Sequence, residues 1–150
     1  TSYKKAAPLI YYQHMFLLPD LFEICRFLFG VGGPTEDFSY NNLFELYFHA
    51  TGIKTDEKEA LTIAERVFNL ERAFLCREGI TRKDDHLIGK WVEEPVPSGP
   101  FKGEKIDPEK FDEMLDDYYR LRGWDKNGVP TSEKLKELGL DDVAKELWPE

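Results

Sequence analysis

The chain has 150 residues, enough for one domain with its own core, and its 41% hydrophobic and 33% charged residues fit a globular protein with a polar surface. Against 29 acidic residues stand 20 basic ones, a net charge of −9. That field repels phosphate backbones unless basic residues are segregated, and no basic patch stands in the sequence, so nucleic acid is not an expected partner.

The start at Thr1, with no charged n-region ahead of the apolar stretch, gives no secretory signal and reads as an excised segment of a cytoplasmic protein. Residues 9–18, between Pro8 and Pro19, are apolar all round, which predicts a helix covered by a partner rather than a surface helix. Pro19, Asp20, Glu23 and Arg26 argue against a membrane span over residues 9–33, since each central charge costs roughly 2.5–3.5 kcal/mol on insertion scales. Pro19 is expected to break the first helix, Asp20 to cap the next turn, and residues 21–29 to form a second short helix stopped by Gly30-Val31-Gly32-Gly33-Pro34. Those glycines do not read as a dinucleotide loop, because no strand precedes them and no helix opens directly after them.

Ser39 predicts the cap of a helix with Leu43, Phe44, Tyr47 and Phe48 on one face, closed by Thr51-Gly52. Thr55, followed by Asp56 and Glu57, opens the longest predicted helix. Ala60, Ile63, Ala64, Val67, Leu70 and Phe74 form its apolar stripe, Glu65, Arg66, Glu71 and Arg72 lie off it, and Gly79 ends it. From 89 to 107, Pro95, Pro97, Gly99, Pro100 and Gly103 predict an extended arm across the surface. Asp107-Pro108-Glu109 is a strong helix start, followed by a predicted buried stripe of Phe111, Met114, Leu115, Tyr118 and Leu121 and a stop at Gly123. Residues 131–138 and 141–147 predict two short closing helices separated by Gly139. The expected fold class is all-α: a single-domain orthogonal helical bundle over 1–150 with a Pro/Gly-rich arm. Residues 1–33 would face cofactor or neighbouring domains, and the helices from Ser39 onward would form the stable body.

Few residues carry a chemical signal by themselves. Asp125-Lys126-Asn127-Gly128 imitates the opening of a calcium loop, but the required sixth and twelfth positions hold Pro130 and Lys136, so a turn is expected. Asp84-Asp85-His86 lacks the further ligands a metal needs, which leaves ion pairs with Arg77, Arg82 and Lys83, or helix caps, as its expected role. His14 and His49 stand alone among aromatics, and no serine or cysteine nucleophile pairs with a histidine, so hydrolysis has no support. Cys25 and Cys76 are too few for a disulfide framework, and spacing alone reads each as a small buried hydrophobe in a reducing compartment. One thiolate, moreover, cannot hold an iron–sulfur cluster, which takes four ligands.

Asp20-Leu21-Phe22-Glu23-Ile24-Cys25 acquires meaning from the segments downstream of it, taken in order. Glu65-Arg66-Val67-Phe68-Asn69-Leu70-Glu71-Arg72-Ala73-Phe74 is continued by Arg77-Glu78-Gly79 and Arg82-Lys83-Asp84-Asp85. Then come Glu94-Pro95-Val96-Pro97-Ser98-Gly99-Pro100, Asp117-Tyr118-Tyr119-Arg120-Leu121-Arg122-Gly123-Trp124-Asp125 and Gly128-Val129-Pro130-Thr131. From about residue 9 to residue 144 this order resembles the C-terminal region of the tungsten-pterin aldehyde:ferredoxin oxidoreductases. In that family a D-x-x-G-L-C motif supplies an acid that hydrogen-bonds a pterin and the fourth ligand of a [4Fe-4S] cluster, the other three coming from an upstream C-x-x-C-x-x-x-C.

The resemblance implies that Asp20 contacts the pterin, that Cys25 is the distal cluster ligand, and that Ile24 stands at the motif's leucine in the cofactor-binding turn, on the electron path from tungsten to ferredoxin. Glu23 replaces the motif glycine; because glycine lets backbone approach a cofactor closely, a remodelled or lost pterin contact is expected there. Leu87-Ile88 also departs from the family's L-P. The family's upstream histidine lies outside this region, and no catalytic residue is assigned. The implied function is the C-terminal domain of a tungsten (or molybdenum) bis-pterin, iron–sulfur enzyme that oxidises aldehydes to carboxylic acids. Its implied partners are the upstream domains of the same enzyme, ferredoxin and the aldehyde, with no membrane and no nucleic acid. The isolated chain would be inactive and would self-associate through residues 9–29. The alternative is a degenerate scaffold domain of the same family, suggested by Glu23; a free-standing helical binding module is disfavoured by the apolar opening segment.

Overall fold

The computed structural model describes residues 4–29 and 39–149. In chain order it contains α1 (Ala6–Leu21), a 3-10 turn (Arg26–Phe29), α2 (Tyr40–Thr51), α3 (Glu57–Arg77), a 3-10 turn (Arg82–Asp84), α4 (Lys90–Glu93), α5 (Pro108–Arg122), α6 (Ser132–Glu137) and α7 (Asp141–Leu147). No strand occurs among the described residues, where the β-type pairing is an isolated bridge between Trp124 and Pro130. The all-α class expected from the sequence is the class observed. None of these helices is long and apolar enough to cross a membrane.

Pro19 does not break α1. It sits in the last turn, where its missing N–H forfeits one bond to the preceding turn, yet the helix runs on to Leu21. Asp20 is therefore inside that last turn rather than capping a new helix, and the chain then makes a turn and a short 3-10 segment instead of a second α-helix. The glycine stop expected at 30–33 lies outside the described residues.

The other starts follow local capping chemistry. The Ser39 backbone N–H donates to Asn42 Oδ1 at 3.0 Å in a capping box. Asp56, not Thr55, caps α3 by accepting from the Glu59 N–H at 2.8 Å. Asp107 accepts from the Glu109 N–H at 3.1 Å, with Pro108 at the first helical position. Thr131 accepts from the Lys134 N–H at 3.2 Å.

Three helix ends share one geometry, a left-handed glycine followed by an apolar residue whose N–H reaches back five positions. After α3, Gly79 has φ 95° and the Ile80 N–H donates to the Leu75 carbonyl at 3.0 Å. After α5, Gly123 has φ 70° and Trp124 reaches Tyr119 at 2.9 Å. After α6, Gly139 has φ 70° and Leu140 reaches Leu135 at 2.8 Å.

The apolar core joins Met15 and Leu18 of α1, Leu43 and Phe44 of α2, and Ala60 and Ala64 of α3. The alanines let α3 approach closely, and α1 packs along both α3 and α5. Residues 6–21 are thus central to the body, not an appendage to helices beginning at Ser39. His14, Met15, Leu18 and Pro19 in the second half of α1 are buried within the chain, while Leu9, Tyr11 and Tyr12 in its first half remain exposed. At the far end α6 and α7 pack together and α7 returns to α3. Lys134 pairs with Glu65 at 2.9 Å, and Arg66 Nε donates to the Leu138 carbonyl at 2.7 Å.

The apolar stripes predicted for α3 and α5 are only partly those observed. Leu70, Phe74 and Leu121 are 44%, 53% and 42% exposed, whereas Asn69, Arg72, Tyr119 and Arg122 are buried. The 89–107 arm also departs from an extended strap. It opens with α4, and then the Val96 N–H donates to the Glu104 carbonyl at 2.8 Å while Gly103 donates back to Val96 at 2.9 Å, closing residues 96–104 into a loop.

Candidate functional site

The turn that leaves α1 carries the sequence-nominated residues. The Glu23 N–H donates to the Asp20 carbonyl at 3.2 Å, and the Ile24 N–H donates to the Pro19 carbonyl at 2.9 Å. This is the same bond pair that ends α3, α5 and α6, with Glu23 at φ 57° where the others have glycine. The motif position thus has a local reason to favour glycine, the end of a helix, and Glu23 retains the left-handed backbone that a glycine would adopt.

Ile24 is half-buried against the cluster formed by Leu18 and its neighbours, which anchors the turn. Phe22 stacks on Tyr47 with centroids 4.6 Å apart. Asp20 and Cys25, by contrast, are exposed, and Asp20 forms an ion pair with Arg26. An accessible carboxylate accepts hydrogen bonds from N–H donors, and an accessible thiol becomes a soft metal ligand once deprotonated. Among the described residues no group of three or more His, Cys, Asp or Glu side chains could hold a metal ion, so Cys25 can supply one ligand of a larger set at most.

Cys76 occupies a different environment. It is half-buried beside the Gly128 carbonyl at 3.7 Å, and burial pushes its thiol pKa up. His49 is exposed on α2.

The long motifs on α3 and at the end of α5 meet in a polar core. Arg72 donates to both oxygens of Asp85 at 2.9 and 2.5 Å and to the Gly128 carbonyl at 2.7 Å, with its guanidinium 4.9 Å from the Trp124 ring centre. Tyr119 donates a short hydrogen bond to the same carboxylate. Burial alone would raise the Asp85 pKa, but the bonds from Arg72 and Tyr119 outweigh it and hold the carboxyl below its ordinary value. Trp124 Nε1 donates to Asn69 Oδ1 at 2.8 Å, and Asn69 Nδ2 donates to the Glu65 carbonyl at 2.9 Å.

Asp84, Asp85 and His86 therefore do not act together. Asp84 accepts from the Thr81 N–H at 2.8 Å, Asp85 faces Arg72, and His86 lies 3.7 Å from Asp112. Arg82 pairs with Asp116 at 2.5 Å and Asp112 at 3.4 Å, not with the acids beside it. The ion pairs expected with Arg77, Arg82 and Lys83 are not formed among the described residues: Asp84 takes the helix-cap role, and Asp85 pairs with Arg72, which the apolar-stripe reading had placed on the outside. Asp125 accepts from the N–H groups of Asn127 and Val129 at 2.8 and 2.9 Å, so the calcium-like stretch is a turn.

Deeper between α1 and α5 lies Arg122. It donates to Gln13 Oε1 at 2.6 Å, contacts His14 Nε2 at 2.5 Å and donates to the Tyr118 hydroxyl at 3.1 Å, and it lies 3.9 Å from the Phe68 ring centre. Burial, with Arg122 adjacent, pushes the His14 pKa down from 6.5 to about 4, so the ring is neutral at pH 7 and its Nε2 accepts. A cavity of about 350 Å³ opens among α1, α3 and α5, walled by Leu9, Phe68, Phe111, Met114 and Trp124, with Gln13, Arg72 and Asp85 along one side. It explains why the predicted α5 stripe is only half-buried. The signal for this polar core was in the sequence: Asn69, Arg72 and Cys76 recur at helical spacing inside an ordered motif.

Comparison with known proteins places this turn and this core in a larger context. A family model described as "Aldehyde ferredoxin oxidoreductase, domains 2 & 3" matches residues 1–140. The chain is 36% identical over 143 residues to a tungsten-containing aldehyde ferredoxin oxidoreductase of Pyrococcus abyssi, covering 94% of this chain and 22% of that protein. The namesake protein of Pyrococcus furiosus is 37% identical over 138 residues, covering 91% and 21%. Among solved structures, the active-site complex BamBC of benzoyl coenzyme A reductase, in complex with 1,5-dienoyl-CoA, superposes with a TM-score of 0.73 at 28% identity, over 94% of this chain and 20% of that one. The chain thus spans about a fifth of the length of the curated relatives it matches.

Proposed function

The chain belongs to the aldehyde ferredoxin oxidoreductase family, and from that premise we propose that it is the C-terminal domain of a cytoplasmic, tungsten- or molybdenum-pterin, iron–sulfur enzyme that oxidises aldehydes to carboxylic acids and delivers the electrons to ferredoxin. One observation carries the reading at the residue level: an exposed carboxylate and an exposed thiol, Asp20 and Cys25, stand on one anchored turn.

In this reading Asp20 accepts hydrogen bonds from pterin N–H groups, and Cys25 provides one thiolate of a [4Fe-4S] cluster. The remaining three ligands come from upstream domains of the same polypeptide. A carboxylate has about four acceptor sites, so Asp20 can keep Arg26 and still receive a ligand. The pterin-held metal supplies the two-electron chemistry when bound. This chain's own part is positional: Ile24 and the two backbone bonds fix the turn, and Arg26 orients Asp20.

Substitution of Cys25 in the full-length enzyme tests the proposal. Cys25→Ser is expected to lose the cluster or leave a three-iron remnant, seen by iron analysis and electron paramagnetic resonance, because a hydroxyl is a poorer ligand for iron than a thiolate. Cys76→Ser, in the half-buried site beside Gly128, is expected to keep its iron. Equal iron loss in the two variants would overturn the assignment.

A further inference from the structure

We propose that the cavity among α1, α3 and α5 binds a small uncharged aromatic carbonyl compound, its oxygen accepting from the side-chain amide of Gln13 and its ring lying among Phe68, Phe111, Met114 and Trp124. The inference is independent of the cluster reading, since none of residues 20–26 lines this cavity.

Size and lining bound the ligand. A dry apolar cavity of about 150 Å³ is large enough for benzene, so about 350 Å³ holds one ring with a short substituent. Aromatic side chains and a methionine sulfur make favourable contacts with such a ring. Leu9 and Leu75 belong to the wall and are also exposed, which gives the ligand an entry from the surface.

The polar side is set by Arg122. A guanidinium only donates, so the Gln13 oxygen must face it. Oε1 accepts from Arg122 Nη2 at 2.6 Å and from the Tyr118 hydroxyl at 2.9 Å, which uses both of its lone pairs. The two N–H donors on Nε2 are then left without a partner among the described residues. Other polar groups beside the cavity are already committed, because Arg72 and Asp85 bind each other and Tyr119 donates to Asp85.

Gln13 therefore selects for an acceptor oxygen. A cationic head group, which only donates, finds no acceptor there. An anion is disfavoured as well: Arg72 and Asp85 cancel, and the exposed Glu71 remains as the net charge of the lining. A neutral carbonyl meets both conditions.

Saturation-transfer difference nuclear magnetic resonance on the full-length enzyme tests this, with acetophenone, ethylbenzene and benzoate as probes. Acetophenone is a ketone with no aldehyde hydrogen to lose, ethylbenzene has nearly its shape without the acceptor, and benzoate carries a charge. Acetophenone is expected to bind about fivefold more tightly than ethylbenzene, the worth of one hydrogen bond, and benzoate more weakly than either. Gln13→Glu, at pH 8, keeps an acceptor for Arg122 and Tyr118 but removes the donors. It is expected to bring acetophenone down to the level of ethylbenzene and to leave ethylbenzene unmoved. Met114→Trp, and the milder Leu115→Phe, fill the cavity from α5 and are expected to lose both probes. Acetophenone bound no tighter than ethylbenzene in the parent, or held equally well by Gln13→Glu, would overturn the inference. Undiminished binding in both filling variants would do the same, as would no binding by the full-length enzyme, the result if another part of the polypeptide fills the space. None of these outcomes bears on the iron content of Cys25→Ser.

Discussion

Arg122 is fully buried, and among the described residues no carboxylate lies within ion-pair distance of it. Neutral acceptors from Gln13, His14 and Tyr118, with the Phe68 face, take the place of a counter-ion. The arrangement requires an uncharged His14. Its folded pKa, about 4, lies below the ordinary 6.5, so between these values the unfolded chain binds a proton that the folded chain refuses. Stability from this group is complete above about pH 6.5 and falls as pH drops through the window towards 4, by roughly 3 kcal/mol in all. Urea denaturation across that range is expected to show the decline, and His14→Gln, which keeps an acceptor without a titrating ring, to flatten it. Gly128 is the other residue that the polar core cannot exchange. It has φ 78°, and an added Cβ would fall on the Arg72 guanidinium and within 2.9 Å of the Tyr119 ring. Gly128→Ala is expected to lose about 3 kcal/mol, combining left-handed strain with overpacking. A loss under about 1 kcal/mol in chemical denaturation would mean that the Arg72–Asp85 pair yields easily.

Among the secondary-structure elements, starts and stops were legible wherever their chemistry is local. Ser39, Asp107 with Pro108, and Thr131 announce helices because the capping oxygen lies within three residues of the N–H it accepts from. Thr55 misled by one position because Asp56 offers the better acceptor. Pro19 misled more, since a proline in a last turn forfeits one bond at a place where the helix is already ending. The stripes of α3 and α5 were harder to read. A buried arginine looks like a surface residue until the Gly128 and Asp85 segments are known to lie over it. The shared left-handed ends give two opposite expectations. Gly79→Ala, at φ 95° with open space around the new methyl group, is expected to destabilise by about 1 kcal/mol from conformation alone. Glu23→Gly, at φ 57°, is expected to stabilise by a similar amount, about 1 kcal/mol. Thermal or urea unfolding of both checks the pair, and equal signs would exclude a common helix-end geometry.

For the whole molecule, the candidate site was legible in part: Asp20 and Cys25 stood out through an ordered motif, while the role of Ile24 as an anchor and the left-handed backbone of Glu23 needed coordinates. The placement of α1 was the least legible feature. A segment apolar all round looks as though it belongs to a partner, whereas here it supplies Met15 and Leu18 to the core and Gln13 and His14 to Arg122. Its sequence distance from α5 hid that pairing, since contacts between residues so far apart leave no periodic trace. A chain shortened to begin at Ser39 therefore loses more than an appendage. It uncovers Leu43, Phe44, Ala60 and Ala64 along the side where α1 packs, and it leaves the Arg122 guanidinium without the acceptors on Gln13 and His14. A buried charge stripped of its partners costs several kcal/mol, comparable with the whole stability of a small domain. Residues 39–150 are accordingly expected to keep helical far-ultraviolet dichroism but to lose the near-ultraviolet signal of Trp124 and Tyr119 and to melt without a sharp transition. A cooperative transition in that shortened chain, with the aromatic signal of the 150-residue chain retained, would show that the later helices hold themselves together without α1.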